Sequence, residues 1–327
     1  MRCWTRPGRS RDDDAAARSP TGSLRRYRRD LVIIDLRCRL TTGGAADYFV
    51  DRMTRANRLD RLPALADRST ETFFAEIAAA GITTAVSVSG CNPGAKLGRH
   101  DLPARTTSND VLADIQRRHP GRFIGVAGID ASSTFHDPLA EIERSVTQLG
   151  LKAVFIEPGR APGCLLNDER LYPIYDKCQS LGVPIIPQTS GPLGGRLVDY
   201  ANPRYVEQVA DDFPRLNIIC GHGCYPFVRE AIVMASRRDN VWLAPDTYVF
   251  HLGRDDWLQA VNSNLLGFAD RFLFASSYPL TPIKAFVDNF RKLPWNEAML
   301  DRIFFRNALQ ALRLDGDPVF RQLYGLA

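Results

Sequence analysis

The sequence predicts an α/β protein, a (β/α)8 TIM barrel, on three observations. Eight short apolar runs recur between residues 31 and 277. They are rich in Val, Ile and Phe and lack polar alternation, as in strands buried on both faces of a parallel sheet. Helix-like stretches separate them, and no GxGxxG follows the first run, which weakens the competing doubly wound sheet.

In order, the runs are LVIID (31–35), TTAVSVSG (83–90), RFIGVAGI (122–129), LKAVFIE (151–157), VPIIPQ (183–188), NIICGHG (217–223), NVWLAPD (240–246) and RFLFASS (271–277). The first two are followed by long interruptions, 40–68 and 91–107. In a barrel both lie at the C-terminal mouth, where βα loops build pockets and lids. The first helix, 69–81, has Ser69 or Thr70 to cap it and Gly81 to close it. The next, 108–121, starts at Ser108 or Asn109 and stops at Pro120-Gly121. Helix 137–150 has Pro in its first turn and Gly at its end. Helices 167–182, 203–214, 225–238, 255–267, 282–293 and 296–314 complete the alternation.

The chain has 327 residues, 45% of them apolar, enough for one large barrel domain over 31–316, with a C-terminal extension over 317–327. Net charge is +5, and residues 1–30 hold nine Arg against four Asp, also +5 (9 − 4). The body therefore sums to zero, which argues against a nucleic-acid partner. The basic segment 1–30 lacks periodicity and reads as a disordered tail or a mis-called start. No apolar stretch is long enough for a membrane span. Seven scattered cysteines without a CxxC pair read as free thiols of a cytoplasmic protein.

Candidate functional residues are those at the C-terminal ends of the predicted strands. Strand 1 offers Arg37 and Arg39, two residues apart and so on one face. Strand 4 offers Glu157 and strand 5 Gln188. Strand 6 ends in His222, followed by Tyr225. Strand 7 ends in Asp246, followed by Tyr248, and strand 8 in Ser277. Buried arginines demand anions. Arg37 and Arg39 either fork a substrate anion or pair with Asp35, Glu157 or Asp246. His222, between two glycines, is the first choice for general acid or base, with Asp246 as its orienting carboxylate. Tyr225 and Tyr248 are candidates for oxyanion donors, against wall packing as the plainer use. His100 and His251 lie on loops within reach of the mouth.

GLKAVFIEP, IICGHGCYPFVREAI, RFLFASSYPLTP and the FFRNALQAL ending resemble the amidohydrolase-related family, in the aminocarboxymuconate-semialdehyde decarboxylase-like branch. The resemblance spans about residues 31–312 and implies a barrel of the metal-dependent-hydrolase type, often dimeric. It also marks departures. The family's His-x-His of strand 1 is Arg37-Cys38-Arg39 here. Its strand-5 histidine is Gln188, its strand-8 aspartate is Ser277, and Glu157 stands at a frequent strand-4 histidine. Only His222 remains among the usual histidines. Arginine has donors only and repels a dication. The expectation is therefore an enzyme without metal or other cofactor, a hydrolase (on a lactone, for example) or a decarboxylase. Its substrate is expected to be a small carboxylated, cyclic or aromatic compound. A catalytically silent binding or scaffold barrel is the first alternative. A metal enzyme with relocated ligands, His222, Glu157 and Asp246, is the second.

Overall fold

The structure is a computed structural model and describes residues 32–88 and 90–326. The predicted basic tail, 1–30, lies outside the described residues. Among the described residues nine strands form: β1 (Ile34–Cys38), β2 (Thr84–Val88), β3 (Ala95–Leu97), β4 (His100–Leu102), β5 (Phe123–Ile129), β6 (Ala153–Ile156), β7 (Ile185–Pro187), β8 (Ile218–Gly221) and β9 (Val241–Ala244). Seven of them make one parallel sheet in the order β1-β2-β5-β6-β7-β8-β9. Sequential parallel order with a helix after each strand is the barrel topology the sequence predicts.

The eighth predicted strand, 271–277, closes the ring without forming a full ladder. Leu243 donates its backbone N–H to Arg271, and Leu273 donates back to Leu243. On the other side Leu36 donates to the Phe274 carbonyl and Ser277 to the Arg37 carbonyl. The Phe274 N–H leaves the sheet for the Ile303 carbonyl. One amide spent outside the ladder is why the run is extended but irregular.

The barrel interior is filled by alternate residues from each strand: Ile34 and Leu36, Val86 and Val88, Ile124 and Val126, Ala153 and Phe155, and Leu273 and Ala275. Phe305, Leu309, Phe320 and Tyr324 seal the lower end. The last two belong to a helix, Pro318–Tyr324, that packs on the barrel, with Tyr324 stacked on Phe305 at 5.4 Å. The predicted caps form where polar side chains precede helices. Ser69 accepts from Thr72 N–H and Ser108 from Val111 N–H, and Asp137, which the sequence reading did not single out, accepts from Ala140 N–H.

Both long interruptions carry structure. Segment 40–68 contains a helix, Gly44–Arg55, and a short one, Pro63–Asp67. The first has no side-chain cap hydrogen bond at Gly43, so the usual start signal is missing from the sequence. Segment 91–107 is a hairpin of β3 and β4. Among the described residues no helix is long and apolar enough to cross a membrane.

Candidate active site

The mouth of the barrel holds two ion networks. The first centres on Arg37, which is fully buried. The pairing of β1 with β2 shifts register between Asp35 and Cys38. Leu36 faces the barrel interior, and Arg37 follows it into the mouth instead of alternating outward. A bulge re-aims a side chain in this way. Its Nη1 donates to Asp246 Oδ2 and to Ser277 Oγ, each at 3.0 Å, and its Nη2 donates to Gln188 Oε1 at 3.0 Å. The guanidinium edge lies against Gly221, where a Cβ would come within 2.9 Å of Nε.

Asp246 is shared. His222 Nδ1 stands 2.9 Å from its Oδ1 and 2.8 Å from its Oδ2. Burial raises the Asp246 pKa, but His222 and Arg37 outweigh it and hold the carboxyl below its ordinary value. For His222, burial and then Arg37 and Arg39 lower the pKa, against Asp246, to about 4. At neutral pH the imidazole is therefore neutral. Bonding to an ionised carboxylate fixes the tautomer, with the proton on Nδ1 and a lone pair on Nε2. His222, Asp246 and Ser277 all adopt left-handed backbone, at φ 76°, 47° and 57°. For non-glycine residues this is strain, and its concentration at three strand ends marks a site whose geometry is imposed.

The second network centres on Glu157. Arg105 Nη2 and Asn92 Nδ2 donate to its two oxygens, and Arg160 Nη1 lies 2.6 Å from Oε1. Burial pushes this carboxyl up, but Arg105 and Arg160 outweigh it and bring it down to about 2. Gly90 makes the pair possible, because its missing side chain leaves the space that Arg105 Nε and Glu157 Oε2 fill. Gly90→Ala is expected to cost about 1–3 kcal/mol by overpacking, read as a lower denaturant midpoint. An unchanged midpoint would show that Arg105 can step aside freely.

Arg39 differs from its neighbours. It is 4% exposed, and its Nε and Nη1 are buried with no hydrogen-bond partner. Its guanidinium lies over the Phe49 ring, 5.3 Å from the centroid.

These groups surround an inner cavity of about 200 Å3. Arg39, Arg52, Arg105, Arg160, Gln188, Ser190, His222, Tyr248 and His251 are on its wall. Tyr48, Arg52 and Leu193 also line an outer groove of about 950 Å3 between the 44–55 helix and the 95–102 hairpin, where His100 stands.

The predicted residues thus divide. His222, Arg39, Gln188 and Tyr248 face the cavity. Arg37, Asp246 and Ser277 stand behind them as a bonded set. Glu157 is wholly occupied by Arg105, Arg160 and Asn92. Tyr225 stacks flat on Tyr248 at 4.1 Å and is not on the cavity wall. Tyr248 itself bonds through its hydroxyl to Ser190 at 3.0 Å. Sequence reasoning missed Arg105, Arg160, Arg52 and Tyr48. For Arg160 a signal exists: it follows Glu157 by three residues and pairs with it. For the other three none does: Arg105 comes in on the loop after β4, and Tyr48 and Arg52 on the 44–55 helix, whose start has no capping side chain.

The amidohydrolase family model matches residues 34–314. The chain belongs to the amidohydrolase family. Among solved structures it is similar to an uncharacterized TIM-barrel protein from Bordetella bronchiseptica, at 32% identity and TM-score 0.71, over 87% of this chain and 99% of that one. It is also similar to 5-carboxyvanillate decarboxylase from Novosphingobium aromaticivorans, complexed with manganese and 4-hydroxy-3-methoxy-5-nitrobenzoic acid. There the identity is 17% and the TM-score 0.62, over 87% and 97% of the two chains. A 2,6-dihydroxybenzoate decarboxylase from Rhizobium shares 19% identity at TM-score 0.59, over 88% and 99%. No curated protein matches the chain.

Manganese is bound in the first of those decarboxylases, and the residues here do not fit such a cation. The ligand positions implied by the family resemblance, on strands 1, 5 and 8, carry Arg37, Gln188 and Ser277. All three meet in the Arg37 guanidinium. A fixed cation with only donors occupies the middle of the donor set. Nor do the relocated candidates assemble: Glu157 is tied to its arginines, while His222 and Asp246 bind each other and Arg37. Among the described residues no group of three or more His, Cys, Asp or Glu is placed to hold a metal ion.

Proposed function

We propose that the chain is a metal-independent enzyme that hydrolyses a ring ester, a lactone, in a small carboxylated compound. The observation that carries the reading is the neutral His222, held by Asp246 with Nε2 free on the cavity side. A neutral imidazole at neutral pH accepts a proton, and water attack on an ester needs such a base. A water proton passes to His222 Nε2 as its oxygen bonds to the carbonyl carbon. The ring C–O bond then breaks, and the proton passes from Nε2 to the departing oxygen. Product is the ring-opened hydroxy acid, with His222 neutral again. Arg39 and Arg105 supply positive charge where the oxyanion develops. Arg37 keeps Asp246 ionised, and Asp246 keeps the His222 tautomer.

Decarboxylation is the second reading, favoured by the decarboxylases among the similar structures. It demands a proton donor to carbon, and an imidazole with a pKa of about 4 carries that proton rarely at neutral pH. A panel of carboxylated lactones and aromatic acids, assayed with protein dialysed against chelator, tests both. Lactone turnover that chelation leaves intact is the expected result. Turnover that vanishes on chelation and returns with a divalent metal would end the metal-independent reading. Release of carbon dioxide without lactone opening would exchange the first reading for the second.

A further inference from the structure

We propose that Thr189 is a positioning residue, whose hydroxyl holds the turn after β8 in the shape that aims His222 at the cavity. The proposal rests on reading His222 as the base of the reaction. The turn itself is the first observation. His222, Gly223 and Cys224 follow one another at φ 76°, 60° and 60°. Left-handed backbone is adopted by single residues rather than by runs, because each Cβ crowds the following carbonyl oxygen. Two of these three residues carry a Cβ. The middle one has no room for it, since a Cβ at Gly223 would come within 3.0 Å of Pro245 Cα.

The second observation is what holds so unfavourable a run in place. Within the turn, Gly223 donates its N–H to the Cys220 carbonyl at 3.0 Å and Tyr225 donates to the His222 carbonyl at 3.1 Å. From outside, β9 contributes one bond, His222 N–H to the Ala244 carbonyl at 2.9 Å. The other side is held by Thr189, which is fully buried just past the end of β7. Its Oγ1 donates to the Gly221 carbonyl at 2.7 Å and accepts from the Cys224 N–H at 3.0 Å. Its own backbone N–H donates to the same Gly221 carbonyl at 3.0 Å. One hydroxyl therefore ties the residue before His222 to the residue two beyond it.

A hydroxyl suits this place because it donates and accepts at a single atom. Valine has nearly the shape of threonine and does neither, so it would leave the Cys224 N–H buried without a partner. Serine does both. The neighbours of Thr189 in the chain are used elsewhere, Gln188 on Arg37 and Ser190 on Tyr248. Asp246 holds the His222 ring at Nδ1. The turn fixes the point from which the ring hangs, and the two together aim Nε2.

Two readouts on the full chain test this. Ring 15N spectra of protein labelled at histidine report the tautomer, and the His222 signal is identified by its loss in His222→Gln. Wild type is expected to show Nδ1 protonated and Nε2 bare. Thr189→Val is expected to lose that single tautomer, and Thr189→Ser to keep it. On a lactone that turns over, Thr189→Val should lower kcat by about ten- to a hundredfold, the cost of a misplacement on the order of 1 Å, and move KM by less than about threefold. Thr189→Ser should keep kcat within about threefold of wild type. If Thr189→Val does not fold, Thr189→Ala is read in its place. An unchanged ring spectrum in the variant without the hydroxyl overturns the inference whatever the activity does. So does a Thr189→Ser protein that behaves like Thr189→Val. The ring spectrum needs no substrate, so a wild type that opens no lactone would sink the proposed reaction and leave this inference to be decided by the spectrum.

Discussion

Asp246→Asn is expected to lower turnover by about a thousand- to ten-thousand-fold, by analogy with the orienting aspartate of serine proteases. It is also expected to destabilise the protein by about 3–5 kcal/mol, the cost of leaving a buried ion-pair partner alone. Both effects follow from one carboxylate serving two cations. Asp246 accepts from Arg37 Nη1 and holds His222 Nδ1, and all three groups are buried. An amide is nearly isosteric with the carboxylate but carries no charge. Arg37 would be left with Gln188 and Ser277, which are both neutral. The amide NH2 could face His222 Nδ1 and force the imidazole proton to Nε2, so the lone pair would leave the cavity. Asp246→Asn should therefore lose kcat more than KM in steady-state assays. Turnover within tenfold of wild type would show that Asp246 is only a structural counter-ion.

The barrel was legible because burial on both faces writes itself as apolar runs, and the helices because their caps are local. Each strand-end residue could be placed for the same reason: one residue past an apolar run is one residue into the mouth. What the sequence could not show is which charge meets which. Arg37 and Arg39 look equivalent at i and i+2. The β1 bulge and the loop geometry then give one of them Asp246 and leave the other without a carboxylate. Glu157 reads equally well as a substrate ligand until Arg105 arrives from a hairpin 52 residues upstream. Tyr225 and Tyr248 were indistinguishable by sequence. The turn after β8 stacks one behind the other, so only Tyr248 reaches the cavity. The 44–55 helix, which brings Tyr48 and Arg52, begins at a glycine without a capping side chain and gave no start signal.

His222→Gln is expected to cost about a hundred- to ten-thousand-fold in kcat, the usual range for a general base, and the wild-type pH profile identifies the group. The active form is neutral imidazole. Its pKa in the free protein is about 4 rather than 6.5, through burial and the fields of Arg37 and Arg39. So kcat/KM should be level at neutral pH and fall only as pH drops through about 4. Glu157 and Asp246, both held below their ordinary values, also lose stabilising contributions as pH falls, so the limb is read where the protein remains folded. His222, with its folded pKa depressed, contributes stability that is full above its unfolded value near 6.5. That contribution is lost as pH falls through about 4. Asp35 acts in the opposite sense, because burial outweighs its hydrogen bonds from Ser276 and raises its pKa from 3.8 to about 6. Its contribution is full below 3.8 and is lost as pH rises through about 6. The two slopes oppose each other over the same window. A kcat/KM limb at 6.5 or higher would mean that His222 is an ordinary exposed imidazole.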